Sequence, residues 1–123
     1  MIAPHDGQEL ELMLLGKKCL AAFCDFVPCD GCIDEEIIPE KKFHPYVQSG
    51  KIIRIESEFR DINKKSLRYV CFSLPDSEWR GHSYIYIRKH LHQKIISYTD
   101  SIDELLGHLL DYSQNDIDDF LKQ

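Results

Sequence analysis

The sequence lacks any long hydrophobic run, which argues against a membrane protein. Its longest apolar stretches, 10–15 and 19–26, are separated by Gly16, Lys17 and Lys18. Neither approaches the roughly 18 residues that a helix needs to span a bilayer. The first residues also lack the basic region and the following apolar region of a secretory signal. We therefore expect a cytoplasmic protein that makes no membrane contact.

Recognisable catalytic motifs are also missing. The chain contains no Gly-x-Ser-x-Gly elbow, no His-Glu-x-x-His motif and no glycine-rich phosphate loop. Glu56 and Glu58 share one face of a predicted strand with Arg54, so a solvated charge ladder explains them more simply than a catalytic carboxylate pair does. His82 and His90 could share a helical face, but no carboxylate or cysteine completes a ligand set. The sequence therefore favours a non-enzymatic protein over an enzyme.

The chain as a whole has no excess of positive charge. The net charge is −6, and all of it lies in residues 100–123, which contain seven acidic residues and one basic residue, Lys122. Residues 1–99 contain 14 acidic and 14 basic side chains. Nucleic-acid affinity comes largely from clustered lysine and arginine, so this balance disfavours a nucleic-acid partner. The most basic patch is interrupted by acids and consists of Arg54, Arg60, Lys64, Lys65 and Arg68.

Five cysteines without a secretory signal indicate free thiols in a reducing compartment. The spacing Cys24-x4-Cys29-x2-Cys32, with Cys71 further on, coincides with a plant-type iron–sulfur pattern, but the residues between the first two ligands are bulky. A zinc site needs a second ligand pair, and the acidic residues after Cys32 disfavour a reactive thiolate. We predict no cofactor, and a metal or redox site on Cys24, Cys29, Cys32 and Cys71 is the alternative.

A predicted β-hairpin at about 51–74 is the clearest fold signal. In its first strand Ile53, Ile55 and Phe59 alternate with charged residues, as in a strand with one buried and one solvated face. Its second strand is apolar on both sides and should be the more central one, with residues 19–26 as its other neighbour. The sequence predicts a single α+β domain, residues 1–123, around an antiparallel sheet of three to four strands.

Helices are predicted at about 6–15, 77–92 and 101–112, packed mainly on one face of the sheet. Residues 82–91 also fit a strand, because 84–87 has high β-propensity and Gly81 weakens a helix by about 1 kcal/mol. Helix is the favoured interpretation. Pro45 predicts two short turns or a kinked piece in the region 39–50. Capping residues are expected at Asp6, Ser101 and Asn115.

The acidic helical segment 100–123 is the leading candidate for function. It combines carboxylates with an apolar stripe, which suits a basic protein partner or a second copy of the chain. A stripe docked on the protein's own sheet explains the same pattern without a partner. The predicted protein-binding residues are Asp103, Glu104, Asp111, Tyr112, Asp116, Asp118, Asp119 and Phe120.

The sequence best fits a small cytosolic protein that acts through protein–protein interaction, as an adaptor, inhibitor, immunity or regulatory factor. Besides the metal or redox site, one further alternative is a small-ligand binder or enzyme. Its cleft would involve Trp79, Arg80, His82 and Tyr84, which combine aromatic surface with polar groups.

Overall fold

Three strands form an antiparallel sheet in the computed structural model, which describes residues 4–122. The strands are β1 (Leu20–Phe26), β2 (Ile53–Arg60) and β3 (Ser66–Ser73), and β3 lies in the middle. The helices are α1 (Glu9–Leu14), α2 (Glu40–Gln48), α3 (Glu78–His92), α4 (Asp100–Leu109) and α5 (Gln114–Leu121). The predicted α+β fold, with an antiparallel sheet centred on the 51–74 hairpin, is confirmed.

The central position of β3 follows from its two apolar faces. Leu67, Tyr69 and Cys71 point to one side of the sheet, and Val70 and Phe72 point to the other; all five are buried. Such a strand is stable only when both of its faces are covered. The predicted neighbour is also confirmed, since β1 pairs with β3 along its whole length.

Strand β2 keeps the alternation that the sequence predicts. Ile55 and Phe59 are buried, whereas Glu56 and Glu58 are exposed and pair with Arg54 and with Arg68 of β3, respectively. Arg54 lies 2.6 Å from Glu40 of α2 and 2.6 Å from Glu56. The opposite charges along this strand therefore form ion pairs.

Helices cover both faces of the sheet. Ile85 of α3 and Leu109 of α4 pack against Tyr69 and Cys71 on one face, as predicted for the helices at 77–92 and 101–112. The first helix lies on the opposite face, where Leu10 and Met13 join Phe43 of α2 against Val70 and Phe72. The two-sided apolar pattern of β3 requires this second layer.

Residues 78–92 form a continuous helix, so the strand alternative for 82–91 is wrong. Gly81 accounts for the difference between local propensity and the observed structure. A Cβ atom at this position would lie 2.5 Å from Cδ1 of Ile55, so glycine lets α3 approach the sheet closely. Packing of the helix on the sheet then outweighs the propensity that glycine costs.

Several local predictions need correction. Pro45 lies inside one nine-residue helix rather than between two short turns. Proline has no backbone N–H, so the carbonyl of Lys41 lacks its helical hydrogen bond. Both residues are exposed. Helix α4 is capped by Thr99 and α5 by Ser113, each through a side chain that accepts a backbone N–H bond. Helix α1 begins at Glu9 without a side-chain cap, which removes the predicted role of Asp6.

Candidate functional site

Residues of α3, α4 and α5, with the turn between α4 and α5 and Pro4, line a cleft of about 430 Å³. This volume lies in the range of small-ligand and side-chain-binding pockets, which are usually apolar with a few polar groups. The walls are aliphatic and aromatic and the remaining lining is mainly acidic, with Arg88 as its basic member. The lining residues are Pro4, Tyr84, Arg88, Asp103, Leu106, Gly107, Leu110, Tyr112, Asp116, Ile117, Asp119 and Phe120.

The close packing of α5 on α4 shapes one wall of the cleft. Gly107 lies where the two helices meet, and a Cβ atom there would be 2.8 Å from Cγ1 of Ile117. The turn between the helices places Asp111 in the left-handed region, at φ 62°. Ile117 is thereby buried, whereas Phe120 stays 48% exposed at the mouth of the cleft.

The turn that ends α4 is fastened to the rest of the molecule through Asp111. One carboxylate oxygen accepts a hydrogen bond from the backbone N–H of Cys19 at 2.7 Å. The other lies 3.2 Å from Nη1 of Arg80, which also donates to the carbonyl oxygens of His108 and Leu109. These bonds hold the C-terminal end of α4 against β1 and α3.

A buried lysine contacts two residues of the cleft lining, Leu110 and Tyr112. Lys18 is 1% exposed; its ammonium group donates to the carbonyl of Leu110 and to Nδ1 of His5, and it lies 4.9 Å from the ring centroid of Tyr112. Burial lowers the pKa of Lys18 to about 8. His5 in turn packs edge-on against Tyr112, so these contacts position the N-terminal side of the cleft.

Three carboxylates border the apolar walls, and they belong to Asp103, Asp116 and Asp119. None of them forms an ion pair within residues 4–122. They lie on α4 and α5, which also carry the excess negative charge of the chain. The cleft therefore presents an apolar interior within a negatively charged border.

Arg88 contributes a guanidinium to this lining. Its Nε donates to the hydroxyl of Tyr69 at 3.0 Å, and its Cζ lies 5.9 Å from the ring centroid of Tyr98. No carboxylate within residues 4–122 lies within ion-pair distance of it. The sequence did not predict the roles of Arg88 and Lys18. Arg88 lies on a helix with many polar residues and Lys18 follows the end of α1, and basic residues at such positions are usually on the surface.

The structure brings together most of the residues predicted from the acidic segment. Asp103, Tyr112, Asp116, Asp119 and Phe120 line the cleft. The other three make contacts within the chain: Asp111 holds Arg80, Glu104 lies 3.8 Å from His108, and Asp118 accepts a hydrogen bond from Gln114.

The four candidates around Trp79 do not all line the cleft described above. Tyr84 lines the cleft described above, whereas Trp79 is 58% exposed and His82 is exposed. Arg80 is engaged by the end of α4. Of this predicted group, only Tyr84 belongs to the candidate site.

The four cysteines of the predicted metal or redox site differ in their exposure to solvent. Cys71 is buried in β3 and Cys24 is half-buried in β1, whereas Cys29 and Cys32 are exposed in the loop that follows β1. Within residues 4–122, no group of three or more histidine, cysteine, aspartate or glutamate side chains is arranged to hold a metal ion.

The helices of residues 4–122 are all too short or too polar to cross a membrane. Comparison of the chain with protein-family models, with curated proteins and with solved structures found no match.

Proposed function

We propose that this protein acts by binding a partner protein, and that the cleft between α3, α4 and α5 is the binding surface. The observation that carries the proposal is the apolar cleft bordered by carboxylates that form no ion pair within residues 4–122. Protein interfaces combine a desolvated apolar centre with a polar rim, and this cleft has both parts. An apolar side chain of the partner fills the centre and basic side chains contact the border.

Charge selects the kind of partner. Residues 100–123 carry the entire net charge of −6, and such an asymmetric field speeds and orients the approach of a positively charged molecule. A second copy of the chain would present the same negative end, so self-association through this surface is opposed by repulsion. We therefore favour a basic segment of a different protein.

Exposed apolar groups on α4 and α5 support an anchor-type interaction. Phe120 of α5, which lines the cleft, is 48% exposed, and Leu105 of α4 is 43% exposed. Interfaces derive most of their affinity from a few such residues packed around a pocket. We place this interaction in the cytosol, because all five cysteines are free and free thiols persist in reducing compartments.

Site-specific photo-crosslinking in the native cell tests the proposal. A photoreactive phenylalanine analogue at Phe120 should yield an adduct with an identifiable protein, and the crosslinked segment of that protein should be basic. The matched control carries the analogue at Ile62, which is 56% exposed and lies at the hairpin turn. The proposal fails if position 120 gives no adduct beyond the control, or if the crosslinked segment is acidic.

A further inference from the structure

Arg88 adds a feature that an acidic docking cleft does not need. A guanidinium without a carboxylate partner is costly when it is partly removed from water, and Arg88 is half-buried in the cleft wall. The three border carboxylates line the same cleft, yet none of them lies within 4.0 Å of the guanidinium of Arg88. A negatively charged ligand group would remove this cost.

The guanidinium is held in a fixed orientation. Its Nε is used by Tyr69, whose hydroxyl is also 2.7 Å from Nε2 of His92. The two terminal nitrogens have no hydrogen-bond partner within residues 4–122, and they are not among the buried atoms that lack one. They are therefore accessible, and an arginine held in this way recognises a carboxylate with little further loss of freedom.

We propose that the cleft binds the C-terminus of its partner, with the terminal carboxylate on Arg88. The last residue of the partner is apolar and packs against Leu106, Ile117 and Phe120, and the basic residues before it contact Asp116 and Asp119. This inference rests on the proposed function and specifies its ligand. A chain end suits the site because it places a carboxylate inside the cleft while the rest of the chain leaves through the acidic border.

The test uses synthetic peptides of about ten residues that contain five lysines and end in leucine or phenylalanine. Each peptide is made with a free carboxylate and with a terminal amide, and binding is followed by NMR of the full chain labelled with nitrogen-15. The overall charge of −6 favours the amide, because the amide lacks the negative charge of the terminal carboxylate. The guanidinium of Arg88 inside the cleft favours the free acid. Overall charge and Arg88 therefore predict opposite differences in affinity between the two peptides.

We expect the free acid to bind about tenfold tighter than the amide, as one additional charge-assisted contact provides. It should shift the Nε resonance of Arg88 and the amide resonances of residues 103–120. In Arg88→Gln the acid should lose its advantage, while the amide keeps its affinity. The comparison in the wild-type protein stands even if this variant is unstable.

The possible failures are distinguishable. If acid and amide both shift the cleft resonances but the amide binds as tightly or tighter, the role of Arg88 is overturned and the proposed function remains. If neither peptide shifts them, the proposed function fails as well. N-acetyl-leucine is the small-molecule control; if it binds as tightly as the peptide acid, the ligand is a free carboxylic acid and the peptide C-terminus is excluded.

Discussion

The hydroxyl of Tyr69 in β3 forms hydrogen bonds with two side chains of α3. It accepts a hydrogen bond from Nε of Arg88 and forms a second hydrogen bond, 2.7 Å long, with Nε2 of His92. Burial raises the pKa of Tyr69, so the hydroxyl keeps its proton. His92 therefore contacts the same hydroxyl that orients Arg88.

Acid should destabilise the protein through His92 and His5. Burial, followed by the charges of Arg88 and Lys18 respectively, lowers the pKa of each imidazole below 6.5. Below pH 6.5 the unfolded chain takes up these protons more readily than the folded chain does, so the free energy of unfolding falls as the pH drops. Well above pH 6.5 both histidines are neutral in both states and the effect disappears.

Urea titrations at a series of pH values between 7.5 and 5 measure this dependence. The double variant His5→Gln/His92→Gln should show a shallower fall than the wild type. His82→Gln, at an exposed position, is the control and should follow the wild type. Identical pH profiles for the double variant and the wild type would contradict the interpretation.

At the scale of elements, the apolar stripe of α4 divides into two parts. Leu109 is 5% exposed and belongs to the core with Tyr69 and Cys71, whereas Leu105 is 43% exposed. Leu109→Ala should lower the free energy of unfolding by about 2–5 kcal/mol, as expected for a buried leucine. Leu105→Ala should cost well under half of that, and chemical denaturation of both variants measures the difference. Equal losses would mean that Leu105 is buried in solution.

The bonds of Asp111 connect α4 to β1 and α3, and their loss should loosen the cleft. Asp111→Ala removes the acceptor for Cys19 and Arg80 and leaves alanine at φ 62°, so we expect a loss of about 1.5–3 kcal/mol in unfolding free energy. Asp111→Asn keeps an oxygen acceptor and tolerates the left-handed conformation. It should cost markedly less, and thermal or urea unfolding of the pair tests this. If the two variants lose the same stability, the oxygen and the left-handed tolerance that asparagine retains contribute nothing measurable.

At the scale of the whole molecule, the excess negative charge lies on the segment that carries the proposed binding surface, residues 100–123. Asp116→Asn/Asp119→Asn should weaken binding of the basic peptides by about 0.2–1 kcal/mol per carboxylate. The matched control, Glu36→Gln/Glu78→Gln, removes the same charge from exposed positions outside the cleft lining. Titrations at low salt measure the difference, which should shrink at 1 M salt because screening then acts within about 3 Å. An equal loss in both double variants would show that only net charge matters.

Much of the fold could be predicted because it depends on local periodicity. The alternation of β2, the two apolar faces of β3 and the stripe of α4 each report burial directly. Helix α3 was harder, since its β-prone residues conflict with its structure and Gly81 is favourable only where Ile55 lies beside it. The caps at Thr99 and Ser113 were each displaced by two residues, because several neighbouring residues have suitable side chains.

The candidate site was only partly predictable. The sequence by itself determined the α+β class, the order and pairing of the strands around β3, and the acidic amphipathic end of the chain, because these follow from side chains close together in sequence. Only the tertiary structure decided that Tyr84 and Arg88 of α3 face the same cleft as Asp116 and Phe120 of α5. It also decided that Asp111 and Arg80 hold the frame of that cleft. These pairs are far apart along the chain, and what brings them together is the close packing of α3 on the sheet and of α5 on α4, which no local pattern specifies.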